Sequence, residues 1–367
     1  MTGVIVHEWL ESMGGAEKVV MRLADIYPDA PIVALWNDAP GRFQEGRVHE
    51  SWLAHTPFRR HKAAALPIMP LTWRTLGARS ADWVLCSSHL FAHHARFSGR
   101  ARDALKFVYA YTPARYIWEP GIDERGSSHL VRAAAGALRP IDRRRAAEAH
   151  SVAAISEFVR ERIERSWHRD SAVIYPPVAV EAFSGEPDVT DEERDLLATL
   201  PADFLLGASR FVTYKKLDTV IRTGAIAKVP VVIAGSGPDL ARLQSVARDL
   251  GTEVHFVHQP SHDLLHALYA RSIAFVFPAV EDFGIMPVEA MAAGTAVLGP
   301  RIGGVSETVS DGVSGALIES FESVEDVKEG ISRIRTLKRS EIVARADLFN
   351  EARFDCAIRG WIDGESR

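Results

Sequence analysis

The stretch FVFPAVEDFGIMPVEAMAAGTAVLGP, residues 275–300, carries the clearest signal for the fold. It starts as a short apolar strand that ends near Pro278, continues as a loop, and becomes a helix. Pro287 suits the first turn of that helix, where its missing amide hydrogen is not needed. We therefore expect Glu281 in the loop and Glu289, eight positions later, in the first helical turn. A strand, a loop and a helix in this order are typical of an α/β fold with a parallel sheet.

The loop between the two glutamates predicts a phosphate site. The first amides of a helix have no intrahelical partner, so those of Phe283, Gly284 and Ile285 could bind an anion. Two carboxylates on either side of a phosphate suit a ligand with hydroxyls at both ends of a diphosphate, such as a nucleotide sugar. Taken singly, each glutamate has an ordinary explanation: Glu289 favours the helix dipole, and Glu281 is solvated.

Apolar strand-like segments alternate with helical segments along the rest of the chain, which predicts parallel sheets covered by helices. Pro176-Pro177 separates two such groups, because a Pro-Pro step cannot continue a helix or lie in a central strand. Ligands of open α/β sheets bind at the carboxyl ends of the strands. The predicted strands are 4–7, 32–35, 83–87, 106–110, 152–155, 172–175, 204–208, 231–234, 254–257, 273–277 and 296–299.

Bulk properties narrow the function classes. A chain of 367 residues with 47% hydrophobic and 25% charged residues suits a soluble globular protein of two domains. Its formal net charge of -5 gives no footprint for nucleic acid. Cys86 and Cys356 cannot form a disulfide framework or a zinc site alone. The start, MTGVIVHEWL, is strand-like and lacks a basic leader. We expect the cytoplasm, either free in solution or at the inner face of a membrane.

Basic residues follow the strand in LLGASRFVTYKKLDTVI, residues 205–221. Arg210 and Lys215 could both lean over its carboxyl end, where two cations would neutralise a diphosphate and stabilise its charge as it leaves. The alternative is a surface turn with ordinary basic side chains. Lys216 lies next to Lys215 and could exchange roles with it.

The first strand is followed by a glycine pair in VHEWLESMGGAEKVVMRL, residues 6–23. Gly14 and Gly15 would let the backbone approach a phosphate or a sugar closely, although a Gly-Gly step is usually only a turn. His7, Glu8 and Trp9 lie at the carboxyl end of the strand and could meet an acceptor. His7 could equally be a packed residue at the strand end.

Together these segments resemble the retaining GT-B glycosyltransferases of family 4, in which Glu-x7-Glu is the characteristic motif. The resemblance extends from Gly14 to the terminal FNEARFDCAIRGWID. It implies two Rossmann-like domains that face a central cleft, with a C-terminal helix that crosses back to the N-terminal domain. The acceptor-binding domain would be 1–178 plus 350–367, and the nucleotide-sugar-binding domain 179–349.

The resemblance also implies roles for individual residues. Glu281 would touch the hydroxyls of the donor sugar, Glu289 would hold the ribose, and Arg-x4-Lys would clamp the diphosphate. The base would be read by backbone groups near His258. The implied catalytic residues are Glu281, Arg210 and Lys215. The implied donor-binding residues are Gly14, Gly15, Phe283, Gly284, Ile285, Glu289 and His258. Gly303-Gly304 matches a continuation of the motif that we interpret as structural.

The segment YAYTPARYIWEPG, residues 109–121, departs from its closest pattern. It resembles Tyr-x-His-Thr-Pro-x-Arg-Tyr-x-Trp of a bacterial subgroup that includes lipopolysaccharide mannosyltransferases, but Tyr111 replaces the His. Tyrosine, with a pKa near 10, is a poor base at pH 7. Because the leaving diphosphate assists in retaining enzymes of this type, the replacement affects the donor sugar and acceptor rather than the reaction class. The expected acceptor-side residues are His7, Trp9, Tyr111, Arg115 and His89.

Metal and membrane binding receive weaker support. We assign His93 and His94 to a helix face, because no carboxylate or cysteine joins them at ligand spacing. The family generally needs no divalent cation, so we expect no metal and no cofactor apart from the nucleotide sugar. Residues 52–79 mix aromatic and basic side chains, which predicts either a helical hairpin with a solvated basic face or peripheral contact with an anionic membrane.

Three functions remain open. The first is a retaining transferase that moves a hexose or deoxyhexose from a nucleotide diphosphate sugar to a glycan, a lipid-linked saccharide or a natural product. The subgroup resemblance favours a GDP-mannose-type donor and leaves a UDP-sugar as the alternative. The second is a GT-B nucleotide-sugar epimerase, which would need its own acid and base. The third is a non-catalytic scaffold that binds nucleotide.

Overall fold

The computed structural model describes residues 2–12, 14–119 and 129–365, and for 129–135 and 365 it describes the backbone only. Pro120 and Gly121 of the aromatic segment lie outside the described residues. The chain divides into two compact units, Met1–Pro177 with Ala352–Arg367, and Val178–Glu351. The boundary falls directly after the Pro176-Pro177 step.

The first unit is built on a seven-stranded parallel sheet. Its strands are β1 Gly3–His7, β2 Ile32–Ala34, β3 Val48–Glu50, β4 Trp83–Ser88, β5 Leu105–Ala110, β6 Ser151–Ala154 and β7 Ala172–Val173. Their order is β3-β2-β1-β4-β5-β6-β7, so the winding reverses between β1 and β4. In doubly wound sheets the ligand crevice lies outside the carboxyl ends of the two strands at such a reversal.

The second unit repeats this plan with six parallel strands. They are β8 Leu205–Arg210, β9 Val231–Ser236, β10 Val254–His258, β11 Ala274–Val276, β12 Val297–Pro300 and β13 Gly315–Ile318. The order β10-β9-β8-β11-β12-β13 places the reversal between β8 and β11. Leu205 pairs with Ala274 at this point, so both strands deliver the loops that follow them to one edge of the sheet.

Helices cover both sheets, and several begin at residues that cap them. The Ser156 hydroxyl accepts the amide of Val159, and Thr190 forms a capping box with Glu193. The first unit contains α1 Gly15–Ile26, α2 Lys62–Ala65, α3 Met69–Thr72, α4 Arg115–Trp118, α5 His129–Ala146 and α6 Glu157–Trp167. The second contains α7 Asp191–Thr199, α8 Leu217–Ala227, α9 Leu240–Leu250, α10 His262–Arg271, α11 Ile285–Ala292, α12 Val305–Thr308, α13 Val324–Ile334 and α14 Arg339–Ala346. The last helix is α15 Glu351–Glu365.

The last helix returns to the first unit, as the resemblance implied. The Arg22 guanidinium donates two hydrogen bonds of 2.7 Å to the Asp355 carboxylate of α15. The Trp361 indole donates to the Ser151 hydroxyl at 2.8 Å. A planar bidentate pair fixes orientation as well as distance, so α15 is anchored on the first unit by geometry-specific contacts.

Three features differ from the prediction. Strands β3 and β13 were missed, because β3 is a half-buried or exposed VHE segment and β13 begins with glycine. VHE has no apolar run, and the apolar part of β13, Ala316–Ile318, is only three residues long, too short to indicate a strand. The helical hairpin expected at 52–79 is wrong as well. That region forms 3-10 turns at Trp52–His55 and Pro57–Arg60, followed by α2 and α3. Prolines at 57, 67 and 70 prevent longer helices there.

Candidate functional site

A lysine and a glutamate meet at the reversal of the second sheet. Thr213–Lys215 is a 3-10 turn after β8, and Glu281 lies in the loop after β11. The Lys215 ammonium forms an ion pair with Glu281 Oε1, and the two side chains are only 15% and 25% exposed. Lys216 has φ 52° and its side chain is exposed at the start of α8. The structure therefore brings Lys215, rather than Lys216, to the carboxylate.

Arg210 ends β8 at the same edge of the sheet. Its guanidinium donates a hydrogen bond to the Tyr214 hydroxyl at 2.8 Å, and both side chains are exposed. A second cation thus stands on the strand whose following turn carries Lys215. Two cations beside one another at a strand end suit a ligand with more than one negative charge.

The turn GSGPD, residues 235–239 at the end of β9, packs against the backbone that carries Arg210. Gly235 and Gly237 have φ 136° and 152°, and a Cβ at Gly235 would lie 1.9 Å from the carbonyl oxygen of Ser209. A Cβ at Gly237 would lie 2.5 Å from the carbonyl oxygen of Phe211. Only glycine fits at such contacts, so this segment supports the Arg210 loop through its backbone.

The glycine pair Gly303-Gly304, which follows β12, packs against the loop after β11. The Gly304 amide donates to the Glu281 carbonyl at 2.8 Å. A Cβ at Gly304 would lie 2.2 Å from Phe283 Cα. Gly284, with φ 92°, closes the loop as the residue before α11, whose first amide belongs to Ile285. The interpretation of Gly303-Gly304 as structural agrees with these contacts.

Glu289 lies in the second turn of α11, whereas the sequence predicted the first turn. The helix begins at Ile285, after the left-handed Gly284, which makes Glu289 its fifth residue. The side chain is buried, with 7% exposed. Tyr269 lies nearby, and its pKa is raised mainly by burial and further by the charge of Glu289. Because the dipole effect fades beyond the first turn, it does not account for a glutamate here.

His258 ends β10 with an exposed side chain. The amide of Gln259, which has φ 45°, donates to the Gly235 carbonyl at 3.1 Å. Strand β10 lies two places from β8, a separation of roughly 10 Å at about 4.8 Å per strand. The His258 backbone is therefore offset from the Lys215 and Glu281 pair along the sheet edge.

The glycine pair of the first unit begins α1. Gly14 precedes the helix with φ 169°, and its carbonyl accepts the Lys18 amide at 3.2 Å. A Cβ at Gly14 would lie 1.9 Å from Glu17 Oε2. Burial raises the pKa of Glu17. The backbone at Gly14 is thus packed against a buried carboxyl group of the same turn.

Glu8, which the sequence placed beside His7 and Trp9 at the end of the first strand, is held by backbone amides. It directly follows β1 and is fully buried. Its Oε1 accepts the backbone amides of His89 at 3.1 Å, Leu90 at 2.8 Å and Ala92 at 2.9 Å. Burial alone would raise the pKa of Glu8, but the imidazoles of His89 and His7 and these amides outweigh it and lower the pKa. The group is therefore a carboxylate at neutral pH.

His7 takes the packed alternative. It is fully buried, and its Nδ1 lies 3.1 Å from the Ser87 carbonyl, so this nitrogen carries the proton and donates. Burial lowers the pKa of His7 to about 4. Trp9 is half-buried and stacks on Trp36, with ring centroids 5.3 Å apart, while its other neighbours include the edge of His89 at 5.0 Å. Trp9 therefore offers a fixed aromatic surface beside His89.

The hydroxyl of Tyr111 is engaged within the first unit. It donates to the Ala16 carbonyl at 3.2 Å and lies 2.8 Å from the Ser87 hydroxyl. Burial raises the pKa of Tyr111 further. Tyr111 therefore ties the end of β5 to the start of α1. Arg115, its partner in the motif, is the first residue of α4 and is half-buried.

His93 and His94 lie in the 3-10 turn Ala92–His94, but the expectation that no carboxylate joins them is wrong, because Asp142 of α5 does. Asp142 is fully buried, and its Oδ1 lies 3.1 Å from His93 Nε2 and 3.0 Å from His94 Nε2. The indoles of Trp118 and Trp167 each donate to Oδ2 at 2.7 Å. Trp118 is thus structural. The carboxylate comes from 48 residues along the chain, beyond any local ligand spacing.

Within the described residues, two groups have the spacing of metal ligands: His7, Glu8 and His89, and His93, His94 and Asp142. In the first, His7 Nδ1 donates to the Ser87 carbonyl, whereas His7 Nε2, Glu8 Oε2 and His89 Nδ1 are buried without a hydrogen-bond partner among those residues. In the second, the Asp142 carboxylate already accepts two indole hydrogens and the His94 imidazole. Hydrogen bonds account for the second group, and the absence of a metal stays a prediction for both.

The basic residues of 52–79 are partly neutralised. Arg59 pairs with Asp38 at 2.8 Å and Glu50 at 3.4 Å, and Lys62 pairs with Glu11. Among the described residues, no helix is both long and apolar enough to cross a membrane. A cavity of about 1030 Å³ in the first unit is lined by Glu11, Ser12, Asp38, Arg59, Arg60 and Lys62.

Comparison with known proteins now bears on both units. A family model described as "Glycosyl transferases group 1" matches residues 189–348, most of Val178–Glu351. The second unit is similar to the group 1 glycosyltransferases over most of its length. A relative of this chain, the GDP-mannose-dependent alpha-(1-6)-phosphatidylinositol monomannoside mannosyltransferase of Mycolicibacterium smegmatis, is 30% identical over 193 residues. That match covers 48% of this chain and 50% of the relative. The chain spans half or less of the length of the curated relatives that it matches.

Solved structures support the fold of the whole chain. HepE from Anabaena in complex with UDP has a TM-score of 0.72 at 18% identity, covering 99% of this chain and 100% of HepE. The lipopolysaccharide outer core galactosyltransferase WaaB has a TM-score of 0.70 at 18% identity, covering both chains fully. The expected GT-B class is confirmed by these likenesses, which at such identity concern the fold alone.

Proposed function

We propose that this protein is a retaining glycosyltransferase that moves a hexose or deoxyhexose from a nucleotide diphosphate sugar without a metal ion. The observation that carries the proposal is the contact between Lys215 and Glu281 at the reversal of the second sheet. It joins a cation suited to the diphosphate with a carboxylate suited to sugar hydroxyls, at the edge where doubly wound sheets bind ligands.

The charges match the demands of glycosyl transfer. Negative charge accumulates on the diphosphate as the glycosidic bond breaks, and fixed cations stabilise it most when they are already oriented. Glu281 holds the Lys215 ammonium in a half-buried position, so little reorganisation is needed. Arg210 adds a second cation on β8. In this proposal Glu289, buried in α11, binds the ribose, and the backbone near His258 binds the base.

The donor we favour is of the GDP-mannose type. Tyr-Thr-Pro-x-Arg-Tyr, residues 111–116, runs from the end of β5 into α4 and follows the mannosyltransferase-like pattern except at Tyr111. The name of the Mycolicibacterium relative includes GDP-mannose. A UDP-sugar is the alternative, since HepE was solved with UDP. We place the acceptor on the first unit, beside Trp9 and His89. The polar cavity at Arg60 suits a glycan, a lipid-linked saccharide or a polar natural product.

Two other functions predict different outcomes in one assay. The protein is incubated with GDP-mannose or with UDP-glucose, and released nucleotide and the remaining sugar are both measured. A transferase releases GDP or UDP slowly, with water as the acceptor. An epimerase would instead return a changed nucleotide sugar, and a nucleotide-binding scaffold would release nothing from any donor.

The site is tested in the same assay by Lys215→Ala and Glu281→Ala. Each should reduce turnover by at least roughly a hundredfold, the scale expected when a charge-stabilising group is lost. Lys216→Ala is the matched control, because Lys216 is the adjacent lysine, is exposed and makes no contact with Glu281 in the described structure. Equal turnover in the Lys215 and Lys216 variants, with unchanged melting, would reject the assignment.

Peripheral membrane contact through 52–79 stays part of the proposal for the acceptor side. Trp52 and Leu71 are 45% and 61% exposed and could enter an interface, while the pairing of Arg59 and Lys62 leaves less basic charge than the sequence suggested. Co-flotation with vesicles containing anionic lipid tests this, and Leu71→Asp should abolish it.

A further inference from the structure

The two oxygens of the Glu8 carboxylate differ in their hydrogen bonds: several donors surround Oε1, and Oε2 accepts no hydrogen bond from the described backbone. Oε1 accepts three backbone amides, and the Ser88 hydroxyl lies 3.3 Å from it. These donors cannot turn away, because they belong to the backbone that leaves β4. The orientation of the carboxylate is therefore fixed by the chain itself.

The other oxygen, Oε2, faces the imidazole of His89. It lies 3.2 Å from His89 Nδ1, an ion-pair distance, and both atoms are buried and otherwise without a hydrogen-bond partner in the described part of the chain. The pair itself does not have ideal hydrogen-bond geometry. The His89 side chain as a whole is nevertheless 28% exposed. Since Nδ1 is buried, the exposed part of the ring is the side that carries Nε2.

The other groups around His89 do not compete for Nδ1. His7 is fully buried, and its own Nδ1 is directed to the Ser87 carbonyl. That nitrogen is 3.9 Å from Glu8 Oε2. Glu17 of α1 is buried, and Tyr111 lies with its ring centroid 6.3 Å from that of His89. Trp9 meets the imidazole edge-on. Glu8 is the acceptor that His89 Nδ1 faces at close range.

We propose that Glu8 holds His89 with its proton on Nδ1, so that Nε2 is a fixed hydrogen-bond acceptor for a hydroxyl of the donor's sugar, the group that is transferred. This inference rests on the proposed glycosyltransferase function for the nature of the ligand. His89 touches the substrate, and Glu8 is a positioning residue that acts through it. The role falls to His89 because the Tyr111 hydroxyl is already engaged with Ala16 and Ser87.

Glu8→Gln makes the proposal unusually testable. The amide oxygen of the new side chain must replace Oε1, since three backbone amides donate there. Its NH2 group then replaces Oε2 and donates to His89 Nδ1. The proton of His89 must move to Nε2, which turns this nitrogen from an acceptor into a donor. A substitution that preserves shape therefore inverts the hydrogen-bonding character of the exposed nitrogen.

The tautomer is measured by long-range ¹H–¹⁵N NMR on the full chain with ¹⁵N-labelled histidine, without any substrate. The His89 signals are identified by their loss in His89→Ala. We expect Nδ1 to be the protonated nitrogen in the wild type and Nε2 in Glu8→Gln. A wild-type spectrum with the proton on Nε2 overturns the proposal, as does a folded Glu8→Gln protein whose His89 keeps the wild-type tautomer.

The substrate role is measured by nucleotide release from GDP-mannose and UDP-glucose. His89→Ala and Glu8→Gln should each lower the rate about tenfold, the effect of one lost hydrogen bond, while the affinity for GDP or UDP by calorimetry stays unchanged. Wild-type rates in His89→Ala reject the contact with substrate. If the wild-type protein itself releases no nucleotide, the proposed function fails and the sugar assignment with it, whereas the NMR result still decides the tautomer.

Discussion

Replacing Gly304 by alanine should disable the proposed donor site without replacing any residue assigned to donor binding. Gly304 has φ -60° and ψ -23°, a conformation that alanine adopts freely, so the backbone itself does not resist the change. The added Cβ would lie 2.2 Å from Phe283 Cα, 2.5 Å from Phe283 N and 2.6 Å from the Asp282 carbonyl oxygen. All three are backbone atoms of the loop that carries Glu281.

The size of the effect follows from these distances. Ordinary contact begins near 3.4 Å, so the loop must move by about 1 Å, a displacement that can lower catalysis roughly a hundredfold. The hydrogen bond from the Gly304 amide to the Glu281 carbonyl is strained by the same movement. Overpacking of this kind costs about 1–3 kcal/mol of unfolding free energy, which leaves the protein folded if its stability is ordinary.

Calorimetric titration with GDP and with UDP, nucleotide release and thermal melting are measured on the same preparation. Gly360→Ala is the control, because Gly360 lies in α15, where an added Cβ meets nothing within 4 Å. That variant should melt slightly higher and keep full activity, since alanine favours a helix by about 1 kcal/mol over glycine. Wild-type nucleotide affinity and turnover in Gly304→Ala would show that the loop tolerates displacement, and would refute the view that its position is critical.

Further predictions concern stability and metal. Asp142→Asn should lower the unfolding free energy by about 3–5 kcal/mol in urea titrations, because it weakens the hydrogen bonds that several donors make to a buried carboxylate. Asp249→Asn, at an exposed site, is the control and should change the unfolding free energy little. The free energy of unfolding should fall as the pH is lowered from 7 to 5. Burial lowers the pKa of both His7 and His94 to about 4 in the folded protein, against 6.5 in the unfolded chain. The unfolded chain therefore binds more protons in that window. The loss is about 2 kcal/mol per histidine at pH 5, and a flat profile would contradict it. EDTA should leave nucleotide release unchanged; a steep loss would indicate a metal site.

The second unit could be predicted well because its site is encoded locally. Glu281, Gly284 and Glu289 lie within nine residues, in a segment whose strand, loop and helix follow one another in the sequence. The error on Glu289 was one of helix onset. A left-handed Gly284 delays the helix to Ile285, and the carboxylate moves into the second turn. Onset depends on the φ of one residue, which glycine leaves undetermined by sequence.

The first unit was harder because its polar groups meet through the sheet. Glu8 and His89 are 81 residues apart and become neighbours only because β1 pairs with β4. Asp142 reaches His93 and His94 from α5, across 48 residues. Nothing in the local spacing of these residues indicates a partner, so a buried aspartate and an ordinary surface aspartate look alike in the sequence. The order of the strands decides which of them meet.

The two units share a topology, and each places a carboxylate beside a basic nitrogen at the point where its sheet reverses. Burial separates their roles. Glu281 is 25% exposed and makes a side-chain ion pair that a charged ligand can compete for, so Lys215 can exchange a carboxylate for a phosphate. Glu8 is fully buried and bound by backbone amides, so no ligand can displace it, and its effect must pass through His89. A buried carboxylate can orient a neighbour but cannot change partners, whereas a half-exposed one can do both. That difference is why we assign Glu281 to the ligand and Glu8 to the residue that meets it.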